Sequence, residues 1–374
     1  YYAEMELMKP AFRMATSAAI AIGAFGLAYV PLPGVNRTVT VVSGSELQEP
    51  LAVLEQRFEA ANPNLDLQIE LQGSQDLVNN YLDDQNDFTP TVLIPANGQL
   101  LDELAQRWST QYGDEPFYDA PQPIAKTMLV AVAWPERGQA LFPNNQFQWS
   151  RLESAVTQGN WSALGGNGDW GSFDLVTTDP ERSNSGQLAL SLWSQAKLNS
   201  PTLTLANLNT AEVETLFALV KRSVYQPPRS TDILLQEFIA RGPNDADIAI
   251  VYESIALYRW QQAQQSKGAP YQIYYLDPTI ETVSTAAIAR RDVSAAEAQA
   301  GQQFIDFLIA PEQQAVFVQH GFRPLNPDVA LTDVPNSPWS QNIPGVEPEP
   351  AIQATAPPDR TLVNEVIRLW QRAN

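Results

Sequence analysis

Between an apolar tetrad and a helical run, the chain reads Thr177-Thr178-Asp179-Pro180-Glu181-Arg182-Ser183-Asn184-Ser185-Gly186-Gln187, a concentration of short hydrogen-bonding side chains. Phe173-Asp174-Leu175-Val176 predicts a short buried strand, and Leu188 and Leu192, flanked by Ala189 and Trp193, predict a helix. The loop therefore ends at a helix N-terminus, where unpaired N–H groups and the positive end of the helix dipole receive an anion or a polar oxygen. Ser183, Asn184 and Ser185 add side-chain donors there, and Gly186 allows close backbone approach. An ordinary N-capped helix after a turn is the plainer reading of the same residues. Arg182 has two alternatives, a bidentate grip on an anion or a surface pair with Glu181.

Similar loops recur. Ser43-Gly44-Ser45-Glu46 follows the strand candidate Thr38-Val39-Thr40-Val41-Val42, Gly73-Ser74 follows a second strand, and Tyr252-Glu253-Ser254 follows Ile248-Ala249-Ile250-Val251. Ser45 with Gln48 has capping-box spacing, so the serines there serve either a helix cap or a ligand. Glu46 and Glu253, pointing inward, would repel an anion.

Other chemistry is excluded by composition. Of 374 residues, 42 are Asp or Glu and 22 are Lys or Arg, a formal net charge of -20, which argues against a nucleic-acid surface or an anionic-membrane patch. Without cysteine there is no disulfide, thiol nucleophile or zinc-thiolate site. His320 is the single histidine, so neither a histidine relay nor a multi-histidine metal site is expected, and its place at a helix end favours it when charged. No cofactor is expected.

The elements that must position these loops follow in order. Lys9 and Arg13 precede an apolar stretch from Ala15 to Val30, a secretory signal peptide or, alternatively, a membrane anchor through residues 14–30, with residues 1–35 set apart as targeting segment and linker. Strand, loop and helix then repeat three times. The helical faces are Leu47, Leu51, Leu54 and Phe58, then Leu77 and Tyr81, then Leu100, Leu104 and Trp108; the second and third strands run through Leu65–Leu71 and Thr91–Ile94. Such alternation predicts an α/β fold with a parallel sheet whose strand C-termini carry the ligand loops. Residues 130–280 predict a second α/β unit, with Trp149, Trp161, Trp170 and Trp193 as core or as a stacking wall. Ser294 and Glu297 form a capping-box pattern, Pro311 opens the next helix and Gly321 closes it. Pro324 to Pro358 predicts an extended surface strap, followed by a helix with Leu362, Val366 and Trp370 on its buried face.

These loops, with Asp245-Ala246-Asp247-Ile248-Ala249-Ile250-Val251-Tyr252, the helix Gln303-Phe304-Ile305-Asp306-Phe307-Leu308-Ile309-Ala310-Pro311-Glu312-Gln313-Gln314 and His320-Gly321-Phe322, resemble the type 2 periplasmic solute-binding proteins of ABC transporters, most of all the molybdate and sulfate binders. The resemblance covers roughly residues 38–325. It implies a two-lobed α/β fold, each lobe a mainly parallel sheet flanked by helices, joined by crossings near Met128–Trp134 and Val283–Ala289. Lobe 1 would comprise residues 36–127 and 281–325, lobe 2 residues 128–280, and residues 326–374 would form the strap and final helix. The implied ligand residues are Ser43, Ser45, Ser74, Arg182, Ser183, Asn184, Ser185, Gly186 and Tyr252, holding a small solute such as a tetrahedral oxyanion, without catalysis or a metal. An ABC permease is the implied partner of a monomeric receptor. The competing readings are a binder of an organic solute such as a sugar and an envelope-anchored interaction or sensory module. A hydrolase is disfavoured by the absence of a G-x-S-x-G elbow.

Overall fold

The computed structural model describes residues 36–267 and 270–373. The targeting segment expected over residues 1–35 lies outside the described residues, among which no helix is long and apolar enough to cross a membrane. Nine strands form one curled sheet: β1 (Arg37–Gly44), β2 (Leu65–Gln72), β3 (Val92–Ile94), β4 (Gln122–Ala133), β5 (Leu175–Val176), β6 (Ile248–Tyr252), β7 (Gln272–Tyr275), β8 (Thr279–Ile288) and β9 (Ala354–Thr355). Their order is β2-β1-β3-β8-β4-β6-β5, with β7 on β4 and β9 on β8. Pairing is parallel for β1 with β2 and β3, and for β5 with β6. It is antiparallel wherever β4 or β8 meets β3, β6, β7 or the other.

β4 and β8 are the strands that belong to both halves of the molecule. They pair with each other from Gln122 opposite Ala286 to Met128 opposite Glu281. Beyond that point β4 runs between β6 and β7, so Met128–Trp134, expected as a crossing, mostly forms the central strand of the second half. An unbroken apolar run suits a strand covered on both faces. The hydrophobic core changes over the same stretch. Ala125 and Ala286 belong to one cluster, with the helices Gln48–Ala61, Ser74–Leu82, Gln99–Tyr112 and Ala295–Ile309, while Met128 and Ile280 belong to the other.

The proline-rich segment does more than cross the surface. Val334, Trp339 and Ile343 are buried in the second core, and β9 adds a parallel rung to β8 through Thr279 and Ile280. The final helix, Arg360–Arg372, buries Val363, Val366, Leu369 and Trp370, a face rotated slightly from the predicted one. The capping box at Ser294 and Glu297 forms, and Pro311 occupies the first turn of its helix. The one predicted at Ser45 does not: Gly44 takes the N-cap position of a short 3-10 turn, and Ser45 faces the other half instead.

Candidate functional site

The predicted loops meet at the seam between the two cores. At the start of the helix Asn184–Leu198, Ser185 Oγ lies 2.8 Å from Thr178 Oγ1, 3.2 Å from Ser183 Oγ and 2.6 Å from Thr231 Oγ1, a cluster of hydroxyls that hold one another. Asn184 Nδ2 donates to Tyr252 Oη at 2.9 Å, and Asn184 Oδ1 is buried without a partner. Burial first, and the neighbouring Glu46 second, hold the Tyr252 phenol protonated. Gly186 is required for a local reason, since a Cβ there would lie 2.5 Å from the Thr178 carbonyl oxygen.

From the first half, Ser45 Oγ meets Ser230 Oγ across the seam at 2.7 Å. Ser43 Oγ donates to the Gly44 carbonyl at 3.1 Å, and Ser74 Oγ accepts the Ala96 N–H at 3.0 Å, so both are engaged within their own half. Arg182 pairs neither with Glu181 nor with an open site. Its Nε and Nη2 reach Asp76 Oδ2 at 3.2 and 2.7 Å, across the seam.

Several residues here were missed as site residues by sequence reasoning. Arg259 bridges Asp232, at 2.9 Å through both Nε and Nη2, to Glu49 at 3.0 Å, and Tyr258 Oη donates to Glu49 at 3.1 Å. Arg360, from the final helix, joins Glu103 and Gln75 of the first half to Gln187 of the second at 2.7, 2.8 and 3.1 Å. Ser230 caps its helix through the Ile233 N–H, the same Ser/Thr-before-helix signal that marked the other loops. Glu253 is fully buried but neutralised: Arg323 contacts it at 2.8 and 2.9 Å, and Tyr275 donates to it at 2.7 Å.

Glu46 is different. Its side chain curls back over Gly44, its Oε1 is buried without a hydrogen-bond partner, and burial, then Asp232, push its carboxyl up to about 7. His320 closes the same corner. It stacks on Tyr258 with ring centroids 5.1 Å apart, and burial lowers its pKa, so the charged form that a helix end would favour is disfavoured. Among the described residues, no group of three or more His, Cys, Asp or Glu could hold a metal ion.

Residues 39–323, a span that includes both halves and the seam, match the family described as bacterial extracellular solute-binding protein. The chain belongs to that family. Solved structures with the same fold include a periplasmic thiamin binding protein (15% identity, 92% of this chain and 98% of that one, TM-score 0.65). The sulfate-binding protein SubI from Mycobacterium tuberculosis is another (17%, 85% and 94%, 0.58). A third is the ferric binding protein from Campylobacter jejuni (10%, 90% and 99%, 0.59). A comparison with curated protein sequences finds no match. The type 2 periplasmic-binding-protein fold is thus established for this solute-binding protein, as two α/β lobes joined by β4 and β8. The family match stops before the strap, so Arg360 is an addition to the part of the chain that defines the family.

Proposed function

We propose that this solute-binding protein acts outside the cytoplasm as the receptor of an ABC transporter. It closes two lobes over a small polar solute and delivers that solute to the permease. The lobes are assigned as residues 36–127 with 281–325, and 128–280, with 326–374 as the strap and final helix. The change of core on β4 and β8 supports that division. The reading is carried by one observation: neutral hydroxyl and amide groups from three helix starts, Ser45, Ser183–Ser185 and Ser230–Thr231, converge with Tyr252 on the seam. Such groups release their mutual hydrogen bonds to a solute at little cost in reorganisation.

The names of the related structures span sulfate, thiamin and iron, so fold does not choose the solute. A tetrahedral oxyanion such as molybdate or sulfate suits the serine set, but the unpartnered Glu46 weighs against it. Trp149, Trp161 and Trp193 are buried in the lobe 2 core and Trp170 packs against it, which supports their reading as core over a stacking wall for a sugar. Titration of the protein with molybdate, sulfate, glucose and small amines, by calorimetry and thermal shift, tests the reading. Ser185→Ala and Tyr252→Phe are each expected to weaken the solute that binds by roughly tenfold. Unchanged affinity in both variants would remove the seam as the binding site.

A further inference from the structure

Five carboxylates are buried among the described residues: Glu46, Glu103, Asp232, Asp247 and Glu253. Four of them have an arginine. Glu103 meets Arg360, Asp232 meets Arg259, Asp247 meets Arg137 and Glu253 meets Arg323. Glu46 has none. Removing a carboxylate from water without a counter-charge is costly, and a native chain that arranges four such pairs leaves the fifth open for a reason that calls for explanation.

The surroundings of Glu46 point to a missing cation. With Ser45, Glu49 and Pro50 from lobe 1, Asp232, Ser254 and Tyr258 from lobe 2, and His320, it lines a cavity of about 10 Å³. Ser254 Oγ, fully buried in that lining, is a second polar atom without a partner. Of the three carboxyls of this corner, Glu49 and Asp232 share one guanidinium, that of Arg259, which makes no ion pair with Glu46, and Tyr258 adds only a neutral hydroxyl. His320 brings no charge, because burial favours its neutral form and its Nδ1 lies 2.8 Å from the Val316 carbonyl oxygen. Tyr252, on the other side, is a protonated phenol. The carboxyls do not converge as metal ligands do.

We infer that the solute held between the lobes is a small organic cation, whose protonated nitrogen takes Glu46 as its counter-ion and donates also toward Ser254. This rests on the receptor reading above and names its ligand class. The closed cavity holds about one water, so a solute larger than that enters only with the lobes apart. An ammonium N–H can supply Glu46 Oε1 with the donor it lacks, as a charge-assisted bond in a water-poor site. Molybdate or sulfate would instead set like charges together.

The test is calorimetric titration of the intact protein with putrescine and spermidine as ammonium cations, choline as a cation that lacks an N–H donor and is expected to bind more weakly, molybdate and sulfate as anions, and glucose as a neutral control. The inference expects binding by a cation, with proton release as Glu46 is held ionised, read from the dependence of the heat on buffer. It also expects affinity to rise from about pH 6 to about pH 8. Glu46→Gln should weaken that cation by about tenfold to a hundredfold. Proton release in the unmutated protein keeps the test decisive if the variant folds poorly. Binding confined to anions or glucose overturns the cation inference and leaves the receptor reading standing. Cation binding without proton release and unchanged by Glu46→Gln also overturns it. No binding by any of these overturns the cation inference, while the receptor reading is tested separately by closure of the lobes.

Discussion

Glu46 governs how the closed form responds to pH. Its carboxyl rises from 4.5 to about 7 on folding, mainly through burial, so the folded chain holds that proton more tightly than the unfolded one. The stability tied to it is present at low pH and is lost as pH climbs from the unfolded value through about 7, after which it levels off. A shift of that size corresponds to about 3 kcal/mol, a ceiling, because opening the lobes returns the group to water. Glu46→Gln is therefore expected to unfold in urea at a higher midpoint than the parent at about pH 8, and at a similar one at about pH 5. Parallel midpoints across that range would contradict the account. Asp247 moves in the same direction, to about 6, because burial outweighs Arg137, so the parent retains some residual slope. At this scale the sequence was half legible. Serines at helix starts announced themselves, whereas Glu46 registered only as an objection to an anion. The Arg182–Asp76 pair joins residues 106 apart, which no local pattern reports.

Among the elements, the strap departs most from expectation. Proline-rich and without periodicity, it offered no sign that Arg360 would fasten both lobes, since a clasp depends on where a tail docks and not on its local preference. Arg360 is largely buried, as is Glu103, so Arg360→Ala leaves Glu103 with Arg107 alone and takes a donor from Gln75 and Gln187. A loss of about 2 kcal/mol in unfolding free energy is expected, with a widened molecule by small-angle scattering. A variant as stable and compact as the parent would show that the clasp is ornamental. Gly321 was legible as a helix terminator, and its φ of 82° agrees with that role. What could not be read is that a Cβ there would sit 2.5 Å from the Ser254 carbonyl oxygen, under the seam. Gly321→Ala should cost at least about 2 kcal/mol and lower the melting temperature measurably. The strands and long helices were legible because hydrophobic period reports them directly. Ser45 misled because capping spacing describes a local option, and the contact with Ser230 from the other half prevailed.

Over the whole molecule, composition and the strand-loop-helix alternation carried the α/β class, and the family resemblance carried the two lobes. The position of the crossing is less legible. β4 is one continuous apolar strand whose partners change midway, from β8 to β6 and β7, and a sequence run does not record its partners. In the form described here the lobes touch through Ser45 with Ser230, Arg182 with Asp76 and Arg259 with Glu49, a closed arrangement that a receptor must be able to leave. The absence of cysteine makes that motion directly measurable. Spin labels at Thr110→Cys, on the exposed face of the helix Gln99–Tyr112, and at Thr215→Cys, on that of Ala211–Ser223, report the separation of the two lobes. Pulsed electron-spin distance measurement should find a longer, broader distribution without solute and a shorter, narrower one with the amine that binds. One distribution, unchanged by putrescine, spermidine, choline, molybdate, sulfate or glucose, would contradict closure around a solute.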